Sequence, residues 1–197
     1  MNQFNLPLVM KVRRNHGLEH ATIHVLGERT GFRSVAGYTI PAGFFLIGNF
    51  TAGEITLAVE DALRRLRDGE RHLAVHSGCG TNYVTSGFLA GTLALASAWF
   101  GADRRRSRVD QISNAAFAAT IGIVFGQALG RWLQANVTTS SDMGGMSIQR
   151  VARVMDTPAR VHFVDTACNL PARLSHPPSA AASAWHPYPP HPTSPPV

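Results

Sequence analysis

The chain has 197 residues, a formal net charge of +6 and only 15% charged residues, so it suits one globular domain or a small domain joined to membrane segments. The charged fraction is low, since charged residues make up about a quarter of soluble domains, and the scattered basic residues form no nucleic-acid footprint. Two cysteines cannot build a disulfide framework. The composition therefore argues against a nucleic-acid-binding protein and against a disulfide-stabilised domain. It favours a chain of which part is buried in an environment other than water.

The first 82 residues predict a small domain of helices and short strands. A helix should run from Pro7 to Arg29 and stop at Gly31, because proline is favoured at a first helical position and glycine just past an end. Residues 34–50 predict two short strands around the turn 41–43, and residues 73–76 predict another short strand before a Gly-rich turn. Residues 51–70 predict an amphipathic helix. Its apolar stripe is Ile55, Val59, Ala62, Leu63 and Leu66.

Two uncharged segments, 83–102 and 112–130, follow this domain. Each has about the 20 residues that a membrane-spanning helix needs, and both are rich in small residues that let membrane helices approach closely. Trp99 and Trp132 lie near the segment ends, where interfacial aromatic residues are expected. The sequence predicts a two-helix transmembrane hairpin over residues 83–134. The alternative is a pair of helices buried in a soluble core.

The expected location is the bacterial cell membrane, as a multi-pass protein without a signal peptide. Four arginines between the two apolar segments favour a cytoplasmic position for that loop, which would require the amino-terminal region to cross the membrane. The length of this region and the lack of a signal peptide favour a cytoplasmic position for the amino-terminal region instead. We expect a cytoplasmic amino-terminal domain. The lipid bilayer is the predicted partner; a homo-oligomer or another membrane protein stays open as a further one.

After the hairpin, residues 135–168 predict a short helix and then a strand around Val161 to Val164. Residues 169–197 are rich in proline, alanine and serine and predict a disordered tail. The predicted class is α+β, with four parts. These are the domain 1–82, the hairpin 83–134, the segment 135–168 and the tail 169–197.

The first helix carries polar groups on its apolar face. His16, Glu19 and His20 occupy positions three and four residues apart, with His24 one turn further on, so their side chains are neighbours. The string His-x-x-Glu-His has the spacing of inverted zincins, in which two histidines hold zinc and the glutamate is the general base. The alternative is an amphipathic helix whose polar groups pair with Arg13, Arg14 or backbone carbonyls.

A second cluster lies just before the first apolar segment. His76 and Cys79 offer an imidazole and a thiolate, both good zinc ligands, and Gly78 and Gly80 permit a tight turn that aims the two side chains at one point. A thiol at this boundary is also compatible with a small buried apolar residue. Two clusters in one small domain together predict a divalent-metal site, with zinc as the best-fitting ion.

The motif pair HGLEHATI and HSGCGTNYV resembles an uncharacterised bacterial integral-membrane family typified by YqhQ, over about residues 10 to 100. The matching residues are His16, Gly17, Glu19, His20, His76, Cys79, Gly80 and Thr81. The resemblance implies a metal-dependent membrane protein without an established reaction. His24 is not part of that pattern. The downstream glutamate ligand of inverted zincins is not identifiable either, and Glu54, Glu60 and Glu70 are candidates by residue type alone.

Three hypotheses follow. In a zinc-dependent hydrolase, His16, His20 and either His76 or Cys79 would hold the ion, and Glu19 would accept a proton from bound water. In a non-catalytic site, His16, His20, His76 and Cys79 would form a closed set that pins the first helix to the turn before the membrane. Without a metal, the polar face would contact a partner helix or a lipid headgroup, as in a scaffold or assembly subunit.

Overall fold

The fold combines a four-stranded sheet, two helices packed on it and a projecting pair of long apolar helices. A computed structural model describes residues 7–31, 33–100 and 107–168; the tail predicted to be disordered lies outside them. The elements in chain order are α1 (Pro7–Thr30), β1 (Val35–Ile40), β2 (Gly43–Gly48), α2 (Ala52–Arg67), a 3-10 turn (Arg71–Ala74), α3 (Gly80–Phe100), α4 (Arg108–Leu133), a π-helical turn (Gln134–Thr138), β3 (Met146–Met155) and β4 (Val161–Cys168).

The sheet joins segments from both sides of the apolar pair. Its strand order is β1-β2-β4-β3, and every neighbouring pair is antiparallel. Strand β4, which follows the two apolar helices in sequence, therefore lies beside β2, which precedes them. Asn15 of α1 fastens the helix to this sheet, since its amide donates to the carbonyls of Ile40 and Pro41 and accepts from the Thr166 hydroxyl.

The core lies between α1, α2 and one face of the sheet. The predicted stripe of α2 is confirmed, because all five of its residues are buried. Leu18 and Leu26 of α1 meet it together with Phe44 and Leu46 of β2, each 0% exposed. Burying a side chain of this size contributes about 1.5 to 3 kcal/mol. At the start of α2 a capping box between Thr51 and Glu54 satisfies free backbone N–H groups.

Helices α3 and α4 pack against each other through small residues. Gly122, Gly126 and Gly130 of α4 approach α3 so closely that an added Cβ would lie within 2.6 Å of it at each position. Both helices are long and apolar enough to cross a membrane, and only 11% of each apolar window is buried within the chain. Large side chains such as Phe88 and Trp99 are exposed. This exposure does not fit helices buried in a soluble core.

Two predicted elements were wrong. Residues 73–76 do not form a strand; Leu73 and Ala74 are buried in the 3-10 turn, and the Ala74 carbonyl accepts a hydrogen bond from His20 of α1. The predicted short helix after the hairpin is strand β3. Its apolar residues Ile148 and Val151 have helical spacing, but a β-bulge between Ile148 and Arg150 lets both pack against the core. Pairing with β4 along most of its length decides the conformation.

A buried histidine on β4 predicts sensitivity to acid. His162 is 1% exposed, and neither ring nitrogen has a hydrogen-bond partner among the described residues. Burial lowers the pKa of His162, and the charges of Arg153 and Arg160 lower it further against the opposing charge of Asp156. The unfolded chain therefore binds this proton more readily, so stability falls as pH drops below the ordinary histidine pKa of about 6.5.

We expect His162→Leu to flatten this part of the pH profile. Thermal unfolding midpoints between about pH 7.5 and pH 5 measure it, a range in which a histidine titrates. His72→Leu, at an exposed position of the 3-10 turn, is the control and should keep the wild-type slope. An unchanged acid loss in the His162 variant would contradict the prediction.

Candidate metal centre

His16, His20 and Cys79 come together where α1 meets the start of α3. The two histidines lie one turn apart on α1, with ring centroids separated by 4.4 Å. Cys79 is the last residue before α3. One ligand atom from each of the three residues lies within 4.8 Å of the others. The amino-terminal helix and the turn before α3 are thus joined at one point, as the two motifs predicted for these three residues.

Backbone carbonyls orient both imidazoles. The Nδ1 of His16 lies 3.1 Å from the carbonyl oxygen of Thr138, and the Nδ1 of His20 lies 2.9 Å from that of Ala74. A carbonyl only accepts, so each Nδ1 donates a hydrogen bond, and Nε2 is the atom of each ring that is left to bind a metal. The Nε2 of His16 faces the Cys79 Sγ at 3.5 Å. Metal-binding histidines are typically held this way through their second nitrogen.

The surroundings of Cys79 favour its thiolate. Burial raises the pKa of the thiol, but polar contacts with His20 and Thr81 and the charge of His20 outweigh it, so the pKa lies below its usual value. The Sγ is 3.5 Å from the Thr81 hydroxyl oxygen. Its position at the amino-terminal end of α3 acts in the same direction, because the helix dipole is positive there. The thiolate is the form that binds metals.

Close packing of α1 against the segment after α4 supplies the carbonyl for His16. A Cβ on Gly17 would lie 2.1 Å from the Ser140 carbonyl oxygen, so only glycine allows this approach. The Ser140 N–H donates to the Arg13 carbonyl, and the Arg13 guanidinium donates to the carbonyl of Thr139. The π-helical turn at 134–138 thus presents the Thr138 carbonyl to the cluster.

A buried amide pair supports the turn that carries Cys79. Gln134 is 0% exposed; its side-chain oxygen accepts from the His76 N–H and its NH₂ donates to Asn82 at 2.7 Å. Asn82 donates in turn to the Ser77 carbonyl at 2.8 Å. Sequence reasoning missed both amides. The available signal was an Asn and a Gln near the ends of two otherwise apolar segments, where an unpaired amide would be costly.

His76, the fourth predicted ligand, lies next to the group of three and not inside it. Its ring centroid is 5.8 Å from that of His20 and 5.1 Å from that of His24. Its Nδ1 accepts a hydrogen bond from the Gly78 N–H. Burial lowers the pKa of His76 to about 4, with His24 and His20 contributing, so the ring is neutral. Its role as a ligand stays a prediction.

Glu19 points towards the sheet. Its carboxylate accepts a hydrogen bond from the Thr39 hydroxyl and lies against Gly37, where an added Cβ would meet it at 2.1 Å. The side chain is 5% exposed. Burial raises the pKa of Glu19, against lowering contributions from Thr39 and the charge of His16. Glu19 is thus electrostatically linked to His16 but lies outside the group of three, and its predicted catalytic role stays a prediction.

The three other glutamates considered from sequence lie elsewhere. Glu54 caps α2 and pairs with Arg33. Glu70 pairs with Arg65, and Glu60 is exposed on α2. Within the described part of the chain, the group that could hold a metal therefore contains two imidazoles, one thiol and no carboxylate.

This ligand set fits a borderline or soft metal ion. Imidazole and thiolate suit zinc and copper, whereas magnesium and calcium prefer oxygen ligands. Three protein ligands leave one position of a zinc tetrahedron for water or substrate, as in catalytic sites. The group could therefore hold a metal ion, and a zinc ion held by these three ligands would keep a coordination position open.

Comparisons with known proteins place the chain in one sequence family. Residues 11–151 match the family model described as a domain of unknown function, DUF6391. An uncharacterised protein of Picosynechococcus sp. (strain ATCC 27264 / PCC 7002 / PR-6) is 31% identical over 138 residues, and the alignment covers 66% of each chain. No solved structure matches the chain, and kinship with the YqhQ-type family stays a prediction. Since the family model spans well over half of the chain, including His16, His20 and Cys79, the protein belongs to the DUF6391 family.

Proposed function

We propose that this protein is a zinc-dependent hydrolase of the bacterial cell membrane, with His16, His20 and Cys79 as the ligands. The observation that carries the proposal is the convergence of these three groups while both histidine Nδ1 atoms are held by carbonyls. Among the described residues three groups converge, which supports an open coordination position and hence catalysis over a closed structural set.

The residues around the proposed zinc site would have different roles. The carbonyls of Thr138 and Ala74 orient the imidazoles, and the end of α3 favours the Cys79 thiolate. Bound zinc would supply a water of pKa about 7. Glu19 would accept the proton, since burial raises its pKa towards the range in which a general base works well. To do so, its carboxylate would give up the hydrogen bond from Thr39.

A second candidate is a non-catalytic zinc site. Two observations favour it: Thr39 holds Glu19 against β1, and the His76 ring lies beside His20. If His76 released the Gly78 N–H and turned, it would complete a four-ligand set that ties α1 to the start of α3. Glu19 would then only assist His16 electrostatically.

The proposed setting is a lipid bilayer, with α3 and α4 crossing it as a hairpin and the sheet domain in the cytoplasm. The support is the length, apolarity and exposure of these helices. The metal centre would then lie at the membrane surface, because Cys79 directly precedes α3 and Thr138 closely follows α4. A substrate could approach from the bilayer or from water. Kinship with the YqhQ-type family belongs to the same proposal.

Metal coordination in the Glu19→Gln variant tests the two candidates. We expect wild type and variant to bind zinc equally, with one sulfur, two imidazole nitrogens and one water oxygen, because Glu19 is outside the ligand group. X-ray absorption at the zinc edge measures the ligands. The protein is the full chain with His176, His186 and His191 replaced by alanine and no polyhistidine tag, so that other imidazoles give no false signal.

Each other result points to a different conclusion. A third imidazole in place of the oxygen would support the non-catalytic candidate. Loss of zinc in the Glu19 variant would make Glu19 a ligand and exclude it as the base. Absence of zinc from the wild-type protein, after zinc is offered, would overturn both candidates.

A further inference from the structure

The cluster at α1 extends beyond the three proposed ligands into a row of four imidazoles. Successive ring centroids lie 4.4 Å apart for His16 and His20, 5.8 Å for His20 and His76, and 5.1 Å for His76 and His24. His16, His20 and His24 come from successive turns of α1, and His76 enters the row from the turn before α3. The row begins beside Cys79 and ends at His24.

His24 is oriented as the first two histidines are, through a backbone carbonyl. Its Nε2 lies 2.9 Å from the Val75 carbonyl oxygen, so Nε2 donates a hydrogen bond and Nδ1 is the atom left to bind a metal. Three consecutive histidines of α1 therefore bond to carbonyls of residues 74, 75 and 138. Each of these bonds orients its ring and fixes which nitrogen donates, as is typical of metal-binding histidines.

His76 lies where it could bind an ion at a second position, beside the three proposed ligands. The Gly78 N–H that it accepts belongs to an exposed residue, so water can replace this bond when the ring turns. His24 and His76 are partly buried, as is His16, whereas His20 and Cys79 are buried. Because His24 and His76 are partly exposed, a cation from solvent can reach them.

We propose that His24 and His76 form a second, weaker position for a divalent transition-metal ion, next to the one formed by His16, His20 and Cys79. The inference rests on the proposed function, since the inner position is the zinc site proposed there. Two imidazoles without a thiolate make the outer position weaker than the inner one. An ion held there would be placed for transfer to the inner position.

Titration with Co²⁺ followed by absorption separates the two positions, because only an ion bound to thiolate gives a sulfur-to-cobalt charge-transfer band. The protein is the full chain with the three tail histidines replaced by alanine. The first equivalent should raise the charge-transfer band, and a second should add ligand-field absorption and bound metal without it. His24→Gln keeps a donor for the Val75 carbonyl and should remove the second equivalent while leaving the charge-transfer band unchanged.

His72→Gln is the matched control, because His72 is an exposed neighbour in the 3-10 turn, and both equivalents should remain. A single equivalent in the wild-type protein, with its charge-transfer band present, overturns the second position and leaves the proposed function intact. So does a second equivalent that survives His24→Gln. If no charge-transfer band forms at any cobalt concentration, the inner site and the proposed function fail with it. Circular dichroism checks that each variant is folded.

Discussion

Replacing Cys79 with serine is expected to weaken zinc binding on the order of 100-fold or more. Removing a group that merely orients a ligand typically costs 10- to 100-fold in affinity, and Cys79 supplies the one thiolate of the group. Serine keeps the size and the polar contact with Thr81 but binds zinc poorly at neutral pH. Competition with a chelator of known zinc affinity measures the change.

Cys168→Ser is the matched control for this substitution. Cys168, at the end of β4, is the other cysteine of the chain, and its Sγ accepts a hydrogen bond from Arg14 at 3.3 Å. Arg14 is 1% exposed and also bonds to Asp142, so this variant tests a partly buried thiol contact outside the metal group. Its zinc affinity should equal that of the wild type. Equal losses in both variants, or no loss in either, would rule out Cys79 as a ligand.

Periodicity accounts for the parts of the fold that sequence reasoning predicted well. The apolar stripe of α2 follows helical spacing, and the bounds of α1 follow from a proline and a glycine at its ends. The two apolar helices are recognisable from length and lack of charge alone. In each case the signal lies within one contiguous segment, so no knowledge of distant partners is needed.

Two segments whose conformation depends on distant partners were predicted wrongly. Strand β3 resembles a helix in spacing because its two bulges disturb the alternation, and its conformation is set by β4. Residues 73–76 resemble a strand, yet their buried turn packs beside α1 and accepts from His20. A segment of four residues does not by itself show whether it will pair as a strand or pack as a turn.

The candidate site divides in the same way. Ligand types and helical spacing selected His16, His20 and Cys79, which lie together, but they selected His76 equally, which lies outside the group of three. The carbonyls of Thr138 and Ala74 could not be predicted, since every residue has a carbonyl and only the tertiary fold selects two. The direction of Glu19 towards Thr39 follows from the position of β1, which α1 alone does not reveal.

Gly17 is the residue at which fold and site depend on the same contact. In Gly17→Ala the new Cβ would lie 2.1 Å from the Ser140 carbonyl oxygen and 3.0 Å from its carbon. Both are backbone atoms, so a side-chain rotation cannot relieve the clash, and the helix or the segment after α4 must shift. We expect a loss of about 1 to 3 kcal/mol in stability, the usual cost of overpacking. Thermal or denaturant unfolding of the purified protein measures it.

The same shift should weaken metal binding. Moving residues 138–140 away from α1 would lengthen the 3.1 Å contact between the His16 Nδ1 and the Thr138 carbonyl. Loss of such an orienting bond corresponds to a decrease of about 10- to 100-fold in zinc affinity. Gly53→Ala, in α2, is the control, because the nearest atom to its Cβ would be 4.0 Å away. That variant should be neutral or stabilised by up to about 1 kcal/mol, with unchanged affinity. If Gly17→Ala lowers stability but leaves zinc affinity unchanged, the Thr138 carbonyl does not orient His16 for metal binding. The packing of residues 138–140 against α1 would then have no effect on the metal centre.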